Sequence, residues 1–276
     1  MISNGGIFGA SASGSSFIDA GVYADDSDGY GHAPIAETYW IRMAVSFWYR
    51  NDYANTTGTF LYGGYHGSQD HGAVFIGGDG YVYFQTKYNN SHYHNLKSSS
   101  LSTAQRATNT WHHFHMRLPS SGNLTVHIDG TQMISNTVSD YTDMFGRYHG
   151  YLPNPGSYPI SSLSGGPSWS FKGCTYMAQL VYSDGSSPHS VTDVLDTSDG
   201  TPIDVQDIDG SGTDLATDYA GADTGRGFWL FGANGTTSSL THNSATDGGG
   251  DSGFTMDSDY VLTSDTNIFP VTGITT

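Results

Sequence analysis

The stretch Trp111 to Gly130, WHHFHMRLPSSGNLTVHIDG, restricts this chain more than any other. Apolar residues alternate at Phe114, Met116 and Leu118, and again at Leu124, Val126 and Ile128. That period of two is the signature of half-buried strands. Between them Pro119-Ser-Ser-Gly-Asn123 carries turn chemistry, and Asp129-Gly130 opens the next turn. Pairing Leu118 with Leu124 sets Met116 opposite Val126 and Phe114 opposite Ile128. One face of the hairpin is then apolar and belongs on a core. The other carries Trp111, His113, His115, Arg117, Thr125, His127 and Asp129, and is expected to stay available for contact.

The acids extend this reading to the whole chain. There are 25 Asp and one Glu, Glu37, and Lys occurs only at Lys87, Lys97 and Lys172. Glu and Lys favour helices, whereas Asp competes with its own backbone and favours turns and caps. With 37 Gly and 19 Tyr, turn and strand chemistry runs nearly throughout. An all-β protein with at most short helices is expected. Strands are expected at Ser16–Val22, Met43–Arg50, Thr59–Gly63, Ala73–Gly77, Tyr81–Lys87, Thr175–Tyr182, Gly227–Phe231 and Tyr260–Leu262. Residues 24–36 and 139–170 read as loops, the second with Pro at 153, 155, 159 and 167. The segment Pro188 to Leu195 has room for one helical turn, and 196–226 is an Asp/Gly-rich loop insertion. No repeat or linker divides the chain, so residues 1–15 read as a flexible Gly/Ser-rich arm and 16–276 as a single domain.

Charge and cysteine usage exclude some classes. A net charge of −17 argues against nucleic acid or an anionic membrane as partner. Cys174 is alone, so it has no partner for an intrachain disulfide. The opening MISNGGIFGASASG has neither a basic region nor an apolar run of signal length, and no secretion signal is expected. Enzyme signatures are mostly missing. A glycosidase of the usual kind needs a carboxylate pair, commonly Glu, and only Glu37 is present. There is no Gly-x-Ser-x-Gly elbow, no His-Glu-x-x-His and no phosphate loop.

Three constellations remain. Asp207, Asp209, Ser211, Thr213 and Asp218 fall in a twelve-residue stretch that loosely follows a calcium loop, with oxygens at positions 1, 3 and 5, Gly212 at position 6 and a carboxylate at 12. It departs from that pattern in its short terminal Asp, in Asp214 at an apolar position, and in lacking flanking helices. Histidines form the second group. His115 is expected opposite His127, and His113 opposite Asp129, about 5 Å apart and within reach of a shared metal. Hydrogen-bonded histidines or a subunit interface are the alternatives, and His92 and His94 cannot be placed relative to them. Aromatics are the third: Tyr81, Tyr83, Tyr88, Tyr93, Trp48 and Trp111 on or near polar faces suit either a sugar ring or a protein interface.

The order of several strands resembles the laminin-G-like or concanavalin-like jelly roll, two antiparallel sheets face to face. The pieces that carry the resemblance are Val45-Ser-Phe-Trp48, Phe60-Leu-Tyr-Gly63, Trp111-His-His-Phe114 with Leu124-Thr-Val-His-Ile-Asp-Gly130, and Met177-Ala-Gln-Leu-Val-Tyr182. A narrower resemblance, from the Gly/Ser/Ala-rich opening to a closing segment at Phe254–Phe269, is to virion proteins of tailed, often marine, phages. It implies a non-enzymatic structural protein of the particle, in capsid decoration or the tail or fibre. Such a protein is made in the host cytoplasm and reaches the virion without a signal. The implied partners are other virion proteins, further copies of itself in a homo-oligomer, and a host-surface glycan. The alternative is a free carbohydrate-binding module with calcium-stabilised loops.

Overall fold

The computed structural model describes residues 21–24, 31–33, 43–51, 58–66, 70–88, 91–119, 122–137, 150–152, 171–172, 176–184, 188–203, 227–230, 255–256 and 260–263. Eighteen strands run through them. They are β1 (Gly21–Ala24), β2 (Gly31–Ala33), β3 (Met43–Arg50), β4 (Gly58–His66), β5 (Asp70–Ile76) and β6 (Tyr81–Tyr88). Next come β7 (Ser91–Ser100), β8 (Trp111–Leu118), β9 (Asn123–Ile128), β10 (Thr131–Thr137), β11 (Gly150–Leu152) and β12 (Phe171–Lys172). The last are β13 (Tyr176–Asp184), β14 (Leu195–Asp196), β15 (Thr201–Pro202), β16 (Gly227–Leu230), β17 (Thr255–Met256) and β18 (Tyr260–Thr263). Among the described residues, helix is confined to single 3-10 turns at Ala104–Arg106 and Val191–Asp193, the latter inside the segment expected to hold one turn.

The fold is an all-β, two-sheet antiparallel jelly-roll sandwich. The first sheet runs β10-β9-β8-β3-β13-β1-β18, with β16 sharing the edge of β13. The second runs β17-β2-β11-β4-β5-β6-β7, with β12 beside β4 as a parallel pair. The hairpin keeps the expected register, Phe114 opposite Ile128, His115 opposite His127 and Met116 opposite Val126. Asp129 and Gly130 both take positive φ, 52° and 73°, the backbone that a two-residue hairpin turn demands.

Alternate side chains fill the space between the sheets. Met43, Val45, Phe47 and Tyr49 of β3 meet Phe114 and Met116 of β8, Val126 and Ile128 of β9, and Leu61, Val74, Val82 and Phe84 of the second sheet. Phe47 and Phe114 are fully buried, with ring centroids 5.0 Å apart. Truncating either to Ala is expected to remove about 3 kcal/mol or more, seen as a lower urea midpoint with an unchanged slope.

Some sequence expectations are corrected. β7 was not expected: it has ten residues, mostly Ser, His and Asn, and pairs with β6 along its length. β2 and β11 lie inside stretches read as loops and pair with each other. Part of the Asp/Gly-rich loop is also ordered: Leu195 pairs with Pro202 and Asp196 with Thr201 in a small hairpin. Residues 1–15, Cys174 and the calcium-loop residues Asp207, Asp209, Ser211, Thr213 and Asp218 lie outside the described residues. Among the described residues, no helix is long and apolar enough to cross a membrane.

Candidate functional site

The face expected to be open is closed. Residues 188–203 lie as a strap across the outer side of the first sheet. Arg117 Nε donates to the Pro188 carbonyl at 2.9 Å, and His115 Nε2 donates to the His189 carbonyl at 3.3 Å. Ser183 Oγ accepts from the His189 backbone N–H at 2.9 Å and lies 2.6 Å from His189 Nδ1. On the other side of the ring, His189 Nε2 lies 3.3 Å from Ser46 Oγ, so both ring nitrogens face a serine hydroxyl. At the other end Gln179 Nε2 donates to the Ile203 carbonyl at 3.1 Å, while Gln179 Oε1 accepts from Trp48 Nε1 at 3.1 Å. Gln179 makes this clamp from a register shift in β13, with φ at 45°. A bulge of that kind re-aims a side chain. Leu195 and Val191 pack on Trp48, Ala178 and Trp111.

His113 and His115 are consequently buried, and His127 is half-buried. Their rings gather with His189: His115 lies 5.5 Å from His127 and 5.4 Å from His189, centroid to centroid. Burial pushes His113 and His189 down to about 3 and His127 to about 4. His115 falls well below the usual imidazole range for the same reason, reinforced by its histidine neighbours. Three neutral rings, His113, His115 and His189, are thus buried here, with the half-buried His127 beside them. Among the described residues, Nδ1 of His113, His115 and His127 has no partner, an arrangement that costs free energy for each orphaned atom. Among the described residues, no group of three His, Cys, Asp or Glu side chains is placed to hold a metal ion. His92 and His94 belong to β7 in the opposite sheet.

Two of the tyrosines expected to serve as platforms, Tyr81 and Tyr83, are already engaged. Tyr83 stacks on Phe75 at 5.1 Å and donates its hydroxyl to Asp79 at 2.7 Å. Lys97 Nζ sits 3.8 Å from the centre of the Tyr81 ring and 3.1 Å from Asp79 Oδ2.

Among the described residues, an open groove lies at the end of the sandwich where β7 passes into β8. Residues 101–110 join β7 to β8 there and are tied down at every turn. Ser102 and Gln105 form a reciprocal capping box: Ser102 N–H donates to Gln105 Oε1 at 3.0 Å, and Gln105 N–H donates to Ser102 Oγ at 3.2 Å. Gln105 Nε2 donates to the Ile128 carbonyl at 3.1 Å. Leu101 N–H donates to Gly80 and Asn109 N–H to Asn51, both at 2.8 Å. His112 fixes the base of the loop: its Nε2 donates to the Ala107 carbonyl at 2.9 Å and its Nδ1 to Asp129 Oδ2 at 2.8 Å. Two acceptors on two ring nitrogens require the imidazolium. Burial opposes that charge, but the Asp129 carboxylate and the Ala107 carbonyl outweigh it and raise His112 above the ordinary value.

This platform presents Arg106. Its guanidinium rests on Gly80, whose φ is +81°, and a Cβ there would come within 2.6 Å of Arg106 Nη1. The side chain lines an open groove of about 450 Å³ together with Leu101, Thr103, Ala107 and Thr108. Behind it lies a small cavity of about 20 Å³, room for one water, with Tyr49, Asn51 and His112 in its wall. Asn51 Oδ1, buried, has no donor among the described residues, so a single bridging water suits that space. Gly80→Ala is expected to cost about 1–2 kcal/mol through its left-handed backbone and to displace Arg106; a lower melting temperature with an unchanged β spectrum checks it.

Arg106 was not singled out from sequence. The available signal was local: Ser102-x-x-Gln105 immediately before one of only nine cationic residues.

No protein-family model matches the chain, and no curated protein matches it. Solved structures do. Domains LG4-5 of the mouse laminin alpha1 chain align with 62% of this chain and 43% of that one, at 20% identity and a TM-score of 0.43. The native heptameric SAP-like pentraxin from Limulus polyphemus aligns with 60% of this chain and 76% of that one, at 10% identity and a TM-score of 0.38. The binding domain of botulinum neurotoxin serotype D/C aligns with 41% of this chain and 28% of that one, at 19% identity and a TM-score of 0.32. The chain therefore spans less than half the length of the laminin and neurotoxin chains it matches.

Proposed function

We propose that this protein is a non-enzymatic, lectin-like adhesion protein that takes sugar at the Arg106 end of the sandwich. The observation that carries the reading is the anchored 101–110 loop, which offers a guanidinium, two threonines and apolar floor residues in a groove of about 450 Å³. That volume lies within the usual range for small-ligand sites, and prior anchoring lowers the entropy lost on binding. The closed histidine face and the engaged tyrosines support placing the contact at this end. Titrating purified protein with a panel of oligosaccharides tests the site: a Thr103→Trp variant, which crowds the groove from an exposed position, should abolish whatever binding the parent shows.

The setting we propose is a phage particle, as capsid decoration or a tail or fibre component, where oligomer symmetry multiplies weak single-site affinity. It rests on the resemblance of the Gly/Ser/Ala-rich opening and the closing strands. Quantitative mass spectrometry of purified particles should recover the chain in fixed stoichiometry. Its absence from particles, together with a monomer that binds a defined glycan, would favour a free carbohydrate-binding module instead.

Calcium at Asp207, Asp209, Ser211, Thr213 and Asp218 is retained as a proposal. An ion bound only by the folded state stabilises it, so a chelator should lower the melting temperature. Asp207→Ala and Asp209→Ala should remove that response; no response in the parent protein would end the idea.

A further inference from the structure

Resting on the sugar-binding reading of the same groove, we propose that the Arg106 end selects an acidic sugar, through a carboxylate or sulfate ester carried on a short oligosaccharide. Arg106 presents five N–H donors in a rigid fork that matches an oxyanion. Among the described residues, its guanidinium has neither a hydrogen-bond acceptor nor an ion-pair partner, and no carboxylate lines the groove. This chain has 26 acidic residues and nine Lys and Arg, so a guanidinium without a carboxylate stands out. Two other cations of the described residues are held: Lys97 by Asp79, and Arg117 by the Pro188 carbonyl.

The groove also fits the rest of a sugar. Thr103 and Thr108 supply hydroxyls, while Leu101 and Ala107 supply apolar surface for a ring face. The guanidinium is positioned before the ligand arrives, because Gly80 leaves it a seat and the capping box fixes its backbone. Repulsion from a net charge of −17 favours a ligand with few charges over a long polyanion.

The test is calorimetric titration of the full chain with four probes in two pairs: an oligogalacturonate and its methyl ester, and a sulfated galactan oligosaccharide and its desulfated form. At least one acidic probe should bind tenfold or more tighter than its neutral counterpart, and which one does so identifies the anion. R106Q should erase that preference, and R106K should lose several-fold because an ammonium lacks the fork. Circular dichroism of both variants should match the parent. Equal binding of acidic and neutral forms, unchanged in R106Q but abolished by Thr103→Trp, would overturn the acidic selectivity and leave the groove as the sugar site. No binding of any probe by the parent protein would overturn both.

Discussion

Replacing Asp129 by Ala is expected to cost about 3–5 kcal/mol of folding stability, the usual loss when one partner of a buried charge pair is removed. The Asp129 carboxylate accepts from His112 Nδ1 at 2.8 Å and, through its second oxygen, from the His113 backbone N–H at 2.8 Å. Both side chains of the pair are almost fully buried, at 4% and 3% exposure. Alanine would leave the buried His112 ring without its carboxylate acceptor, so that it gives up its charge, and would leave a strand N–H unpaired. It would also place a residue poorly suited to left-handed backbone at φ 52°. Asn tolerates that backbone and keeps an acceptor, so Asp129→Asn should lose less than Asp129→Ala. Urea unfolding at pH 7 checks both. The pH dependence carries a sign as well. The folded-state pKa of His112 is raised, so its contribution is fully present below the unfolded value near 6.5 and is lost as pH rises through the folded value. In Asp129→Ala that alkaline loss should disappear.

The second large effect is acid destabilisation. His113, His115, His127 and His189 are neutral in the folded state, with pKa values depressed to about 3 for His113 and His189 and about 4 for His127, and well below normal for His115. In the unfolded chain each takes a proton near pH 6.5. The unfolded state then binds four more protons than the folded state, and stability falls as pH drops from about 6.5 toward 4. Each proton contributes about 1.4 kcal/mol per pH unit at full effect, so four make the slope steep. Asp193 opposes it by favouring a charged His189, whereas Arg117 reinforces it. Free energies of unfolding measured from pH 7 to pH 4 should show the slope, and His115→Gln should reduce it by about one proton. A flat profile would mean that these rings are already solvated and titrating near 6.5.

The hairpin was legible in the sequence because its alternation and its Asp129-Gly130 turn agree on one register. The fold class followed from Asp, Gly and Tyr usage for the same local reasons. β7 was not legible, because a strand whose residues are mostly Ser, His and Asn carries no apolar period. Nor was the closure of the polar face. It depends on a strap some seventy positions later in the chain, held by the carbonyls of Pro188, His189 and Ile203, and backbone acceptors leave no mark on residue type. Histidines on a polar face read as exposed until something is known to cover them. Arg106 was hidden differently: its importance lies in having no partner among the described residues of an acid-rich chain, a property of three-dimensional placement.

Hydrogen–deuterium exchange of the full chain, alone and with an acidic oligosaccharide in excess, tests most directly where this molecule makes contact. Slower exchange is predicted in peptides spanning 101–110 and the 77–80 turn, with 188–203 unchanged and already slow. Protection appearing instead across 111–117 and 123–128 with release of 188–203, or at neither place, would contradict it.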